Sequence, residues 1–156
     1  LDTGPESHLR YGVALAENGF TKAADEVFAY VQQLKPGYRD VRVQRALNLI
    51  TLNQLGAAEA LLLQETQARP DFYEARRELA ITYLQARKLD KAATTLRELQ
   101  QQHPRDPVIH FHQGLLSLYR NAPEDAAAHF RDTLSLDPEF QPARAELAAL
   151  GYPSGL

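Results

Sequence analysis

The sequence predicts an all-α chain of four stacked helical hairpins closed by one terminal helix. Three observations predict it. Pro36, Pro70, Pro104 and Pro138 recur every 34 residues, and Ala24, Ala58, Ala92 and Ala126 keep the same interval. A small-residue column, Gly12, Ala46, Ala80 and Gly114, and a bulky column, Phe28, Leu62, Leu96 and Phe130, repeat in step with them. Within each unit, two apolar-periodic segments of about 14 residues, each about 20 Å long as a helix, flank a short polar turn.

The first hairpin is expected over Pro5 to Asn18 and Thr21 to Leu34, the second over Arg39 to Leu52 and Leu55 to Ala68. The third follows over Tyr73 to Ala86 and Leu89 to Gln102, the fourth over Pro107 to Arg120 and Pro123 to Leu136. The small residue of each first segment lets the second approach closely, and the alanine does the same from the opposite side. The bulky residue lies four positions after that alanine, one turn along the same face, where it fills the seam. The closing proline cannot continue a helix and restricts the residue before it, so it ends each second segment. Asp71 with Glu74 has the spacing of a capping box, and Asp106 places a capping side chain before Pro107. Gly19 and Gly56 mark turns between helices, with Gly56 at the edge of its second helix.

A ninth helix is expected from Gln141 or Pro142 to Leu150, where Gly151 and Pro153 stop it. With Arg144 and Glu146 among small alanines, it suits a cap that seals the last unit. The organisation is therefore a lead-in over 1–4, one domain over 5–150 with repeats 5–38, 39–72, 73–106 and 107–140 and a capping helix 141–150, and a tail over 151–156. A chain that begins with Leu and holds no Met reads as a processed protein or an excised segment.

Composition narrows the function. With 44% apolar residues the chain can bury a core of its own. Its longest apolar runs, such as Ala60 to Leu63, fall far short of the roughly 18 residues a membrane span needs, so no membrane insertion is expected. A net charge of −3 with no long cationic run argues against nucleic acid. Zero cysteines remove disulfides, thiolate metal sites and thiol nucleophiles. His110 and His112 project about 200° apart on a helix and cannot share a metal. His8, His103 and His129 have no evident second ligand, and the eight glycines form no phosphate loop. Glu124 and Asp125 begin a helix, where they favour the positive end of its dipole. No catalytic residue, metal ligand or cofactor is assigned, and the chain is not read as an enzyme.

The columns resemble the tetratricopeptide repeat, most clearly in the first unit at Tyr11, Gly12, Leu15, Ala24, Phe28, Val31 and Pro36. The second unit departs most. Arg42 and Arg45 stand where the family prefers apolar groups, and Glu65 stands where it prefers a small one. That repeat is expected to pack loosely or to turn those side chains toward a partner. The resemblance implies a right-handed α-solenoid whose first helices line a concave groove that holds another protein. By that geometry the partner-binding groove is formed by Leu9, Val13, Val43, Leu47, Ile50, Ile81, Leu84, Phe111, Leu115, Leu118 and Tyr119, with Ala145 and Ala149 from the cap. Glu74, Glu78 and His112 share those faces with Glu6, Arg10, Glu17, Asp40, Gln44, Arg77 and Glu146, giving an acidic edge. Phe111 and Tyr119 are the favoured anchors.

Some family members clamp the acidic tails of chaperones with Lys, Asn and Arg. Here Leu9, Val13, Gln44, Glu74 and Glu78 fill those places, which rules against such a clamp. The asparagine ladder of the sugar-transferring relatives is absent, its column reading Arg10, Gln44, Glu78 and His112. The expected partner is a peptide or amphipathic helix with apolar anchors and basic flanks, held by a non-catalytic scaffold in a bacterial assembly or export complex. The alternative is a self-associating solenoid, a homo-oligomer whose groove accepts a helix from another copy. Thirteen Arg against four Lys, with abundant Ala and Leu, is the bias of GC-rich bacterial genomes, and the compartment leans toward the periplasm.

Overall fold

The computed structural model describes residues 4–38 and 40–153. Among them the chain is all-α, with α1 (Pro5–Glu17), α2 (Thr21–Leu34), α3 (Val41–Thr51), α4 (Leu55–Ala68), α5 (Tyr73–Gln85), α6 (Leu89–Gln102), α7 (Pro107–Tyr119), α8 (Pro123–Leu136) and α9 (Gln141–Ala149). Every second helix runs where the periodicity places it, and the first helices and α9 stop one residue sooner. The expected start of the third helix at Arg39, the first three residues of the lead-in and the last three of the tail lie outside the described residues. No described helix is long and apolar enough to cross a membrane.

The turns inside the hairpins share one geometry. Gly19, Asn53, Arg87 and Asn121, again 34 residues apart, all have positive φ, at 82°, 57°, 59° and 60°. The residue after each donates its amide to the carbonyl five positions back: Phe20 to Leu15, Gln54 to Leu49, Lys88 to Tyr83 and Ala122 to Ser117, at 2.8 to 2.9 Å. This left-handed cap satisfies carbonyls that a helix end would otherwise leave unpaired. Gly19 reverses the chain as expected, while Gly56 lies inside α4.

The prolines do more than end helices. Each is the second residue of a four-residue turn, closed by amides of Tyr38, Phe72, Asp106 and Phe140 donating to carbonyls of Lys35, Arg69, His103 and Asp137. Proline's fixed φ suits that position. Asp106 then caps α7, its Oδ1 accepting the Val108 amide at 2.8 Å.

Packing divides the chain into two compact units, one ending at Thr82 and the other beginning at Tyr83, with the boundary inside α5. In the first unit, Ala24, Phe28, Val31 and Val41 are fully buried, and Leu9, Val13, Leu15, Ala16 and Tyr38 pack against them. In the second, Ala126, Ala127, Phe130, Leu134, Ala143 and Leu147 form the corresponding cluster, so α9 does seal α8. The small column acts as expected at Gly12 and Gly114. A Cβ on Gly12 would lie 2.7 Å from Phe28 Cε1, and one on Gly114 would collide with the Phe130 ring.

Candidate functional site

The first unit carries two adjoining recesses built on its first helices. One, of about 300 Å³, is lined by Asp40, Val43, Gln44 and Leu47 from α3 and its entry, Phe72 from the proline turn, and Glu74, Arg77 and Glu78 from α5. The other, of about 480 Å³, is lined by Glu6, Leu9, Arg10, Tyr38 and Asp40. The helical repeat explains the lining. Val43 and Leu47 are one turn apart on α3, and Glu74 and Glu78 are one turn apart on α5, so each pair presents one face.

The two recesses share Asp40, the residue before α3. It has φ of 64° and its side chain does not cap the helix. Its carboxylate instead accepts from Arg69 at 3.2 Å. Aspartate tolerates that left-handed backbone better than most residues. The first recess is lined by Asp40, Glu74 and Glu78, with Arg69 donating to Asp40 and Arg77 donating to Glu78 Oε1 at 3.0 and 3.2 Å. The wall is acidic and the floor, Leu47 and Phe72, is apolar.

The sequence-predicted groove residues divide into three sets. Leu9, Val43, Leu47, Glu74 and Glu78 come together in the two recesses. Val13, Ile50 and Ile81 are half-buried in the first unit without lining either recess. In the second unit Leu84, at 2% exposure, is a core residue rather than a surface one. There Phe111, Leu115 and Leu118 pack against the α8–α9 core. Phe111 stacks within 5.6 Å of Phe130 and 5.2 Å of Phe140, so its ring is already occupied. Tyr119 is exposed and lies beneath the Arg87 guanidinium at 3.7 Å. His112 bonds locally, its Nδ1 donating to the Val108 carbonyl oxygen at 2.7 Å.

Phe72 and Tyr38 lie outside the sequence-predicted groove. Both follow a repeat proline by two residues, and Phe140 occupies the same position. An aromatic at that spacing is the signal that identifies them.

The second unit's histidines differ from expectation too. His110 on α7 faces His129 and Asp132 on α8, with one donor atom of each within 4.8 Å of the others. His129 and Asp132, three residues apart, share one face of α8, and hairpin packing brings His110 of α7 to them. Burial holds the His129 imidazole below its ordinary pKa, with His110 adding to the effect and Asp132 and Asp125 opposing it.

The polar residues of the second repeat are paired within the chain. Arg42 donates to Glu65 Oε2 at 2.9 Å, and Arg69 donates to the other oxygen of the same buried carboxylate. Arg45 donates to Asp25 at 2.9 Å and to Gln32 at 3.1 Å, tying α3 to α2. A buried carboxylate is stable only when its charge and lone pairs are matched, and the two guanidiniums match it. Burial pushes the Glu65 carboxyl up, but hydrogen bonds and attraction from Arg42 and Arg69 outweigh this and hold it below the ordinary glutamate range. The contribution is therefore present above the unfolded-state value and lost as pH falls through the folded one. Acid titration of melting temperature is expected to show a decline below about pH 4.5 that is shallower in Glu65→Gln. Equal slopes would show that the pair adds nothing to stability.

Residues 43–107 match the family model described as the tetratricopeptide repeat. Over that stretch the chain carries the tetratricopeptide repeat pattern. That match takes in most of the irregular second repeat, Arg45 and Glu65 included, and all of the third. Solved structures agree on the fold. The chain superposes on MamA 41-end of Desulfovibrio magneticus RS-1 with a TM-score of 0.78, at 24% identity over 89% of this chain and 78% of that one. A thermophilic tetratricopeptide repeat protein of Thermus thermophilus gives 0.82 at 20% identity, over 94% and 81%. The pilF protein of Pseudomonas aeruginosa gives 0.80 at 18% identity, over 94% and 67%. No curated protein matches in sequence. A tetratricopeptide fold is a scaffold for protein–protein interaction, generally without catalysis.

Proposed function

We propose that the chain is a non-catalytic scaffold that holds a partner's peptide or amphipathic helix against α1, α3 and α5 of its first unit, within a bacterial assembly or export complex. The observation that carries this reading is the first recess, which half-buried Leu47 and Phe72 line together with the carboxylates of Asp40, Glu74 and Glu78, the Arg69 guanidinium lying 3.9 Å over the Phe72 ring. An apolar floor takes an aliphatic or aromatic anchor, and an acidic rim favours Lys or Arg beside it. The fold positions the floor rigidly, since α3 is tied to α2 by Arg45 and Asn48 and to α4 by Arg42. The test compares two fluorescent amphipathic peptides with the same leucine and phenylalanine anchors, one flanked by lysines and one by glutamates. The lysine peptide is expected to bind at least about tenfold more tightly at low salt, with the difference shrinking as salt screens the rim. Equal affinities would remove the acidic rim from recognition.

A second reading, self-association, is favoured by the first hairpin. Tyr11, Phe20, Tyr30 and Leu34 are 46 to 62% exposed, and Tyr30 and Leu34 lie one turn apart on α2. Large apolar side chains gathered on one hairpin suit a second copy. Light scattering across a concentration range separates the readings, because only self-association makes mass rise with concentration.

A further inference from the structure

Two imidazoles and a carboxylate converge between α7 and α8. His110 is 8% exposed, and its Nε2 lies 2.9 Å from the Pro104 carbonyl oxygen. A carbonyl can only accept, so Nε2 carries the ring proton, and in the neutral imidazole Nδ1 is a bare lone pair. That Nδ1 is buried without a hydrogen-bond partner and stands 4.0 Å from Asp132 Oδ2. His129 adds a second buried Nδ1 with no partner. Buried polar atoms in native proteins are nearly always satisfied, so two orphaned imidazole nitrogens beside a carboxylate call for a cation among them.

We infer that His110, His129 and Asp132 form a binding site for a divalent transition-metal ion, zinc by the character of its donors. Two imidazoles and one carboxylate suit zinc, whereas calcium and magnesium take oxygen alone. Bonds of about 2.0 to 2.2 Å place tetrahedral ligands roughly 3.3 to 3.5 Å apart. The present donors, within 4.8 Å of one another, reach that by a closure of about 1 Å. Asp132 supplies the freedom, its side chain being 61% exposed on the rim. The hydrogen bond from His110 to the Pro104 carbonyl plays the orienting role that supports metal-bound histidines elsewhere, fixing both ring and tautomer. Three protein donors leave one coordination position open to solvent. The ion would pin α7 to α8, so the second unit becomes more resistant to melting when zinc is present.

The test is calorimetric titration of the untagged chain with zinc chloride in a weakly coordinating buffer, with melting followed in parallel. One zinc per chain is expected, together with a rise in melting temperature that EDTA reverses. His129→Gln and Asp132→Asn should each weaken zinc at least about tenfold with unchanged circular dichroism, while His103→Gln, at an exposed position, leaves affinity unaltered. Asp132 lies on the surface, so its variant keeps the fold even if changes at His129 disturb it. Failure to bind zinc, wild-type affinity in either ligand variant, or loss of binding in His103→Gln would overturn the assignment.

Discussion

Gly114→Leu is expected to lower the stability of the unit that holds it by about 3 kcal/mol, the upper part of the usual overpacking range. In a chain of this size that is roughly 6 to 12 °C in melting temperature. The cause is geometric. A Cβ at position 114 would sit 2.7 Å from Phe130 Cδ1 and closer still to Cε1, and the Phe130 ring is fully buried. It cannot retreat, because Phe111 stacks against it within 5.6 Å. The sequence also names the cure. Repeats with glycine in the small slot carry phenylalanine in the bulky slot, at 12 with 28 and at 114 with 130, whereas those with alanine carry leucine, at 46 with 62 and at 80 with 96. Gly114→Ala should therefore destabilise despite alanine's better helix propensity, and adding Phe130→Leu should recover part of the loss. A double-mutant cycle by thermal denaturation reads this directly. Strict additivity of the two changes would show that the slots do not compensate.

Leu47→Arg is expected to weaken peptide capture at least about 30-fold, the effect of deleting a binding hot spot, while melting moves by no more than about 1 to 2 °C. Leu47 is half-buried and lines the first recess, so an arginine there blocks the floor yet reaches solvent. Leu115→Arg is the contrasting case. Leu115 packs against the α8–α9 core, and a guanidinium there should lower the melting temperature well beyond that range. Fluorescence anisotropy for binding and circular dichroism for melting, run on both variants, distinguish a surface residue from a core one. An unfolded Leu47→Arg chain would place Leu47 in the core and remove it from recognition.

The fold was legible because each repeat writes its packing rules in residues of extreme size or rigidity. Proline marks the turn, Gly12 and Gly114 mark the crossing points, and Phe28 and Phe130 mark what fills them. Helix ends were legible to within a residue or two for the same reason. The site was less so. The repeat geometry places Leu9, Val43, Leu47, Glu74 and Glu78 on first-helix faces, but not how far each is covered. Leu84 and Phe111 have the right period and are nonetheless taken up by packing. Period reports direction from the helix axis, whereas exposure depends on which neighbour reaches that spot, and neighbours come from other repeats. Pairings across helices escape for the same reason. Glu65 looks like a misfit in its column until Arg42, 23 residues earlier, is seen beside it. His110 and His129 look solitary until a hairpin folds them together. Tyr38 and Phe72 were overlooked because they sit in turns, where helical periodicity says nothing.

The central claim is that recognition takes place on the inner faces of α3 and α5. The most direct measurement is amide chemical-shift mapping with a peptide selected by display against the folded chain. The selected sequences should pair one or two large apolar residues with Lys or Arg. The amides they shift should cluster at Asp40, Gln44, Leu47 and Phe72 and along Glu74 to Glu78, and Glu78→Lys should abolish the peptide-induced shifts while altering the free spectrum only around position 78. Acidic selected sequences, or shifts confined to residues beyond Tyr83, would contradict the account.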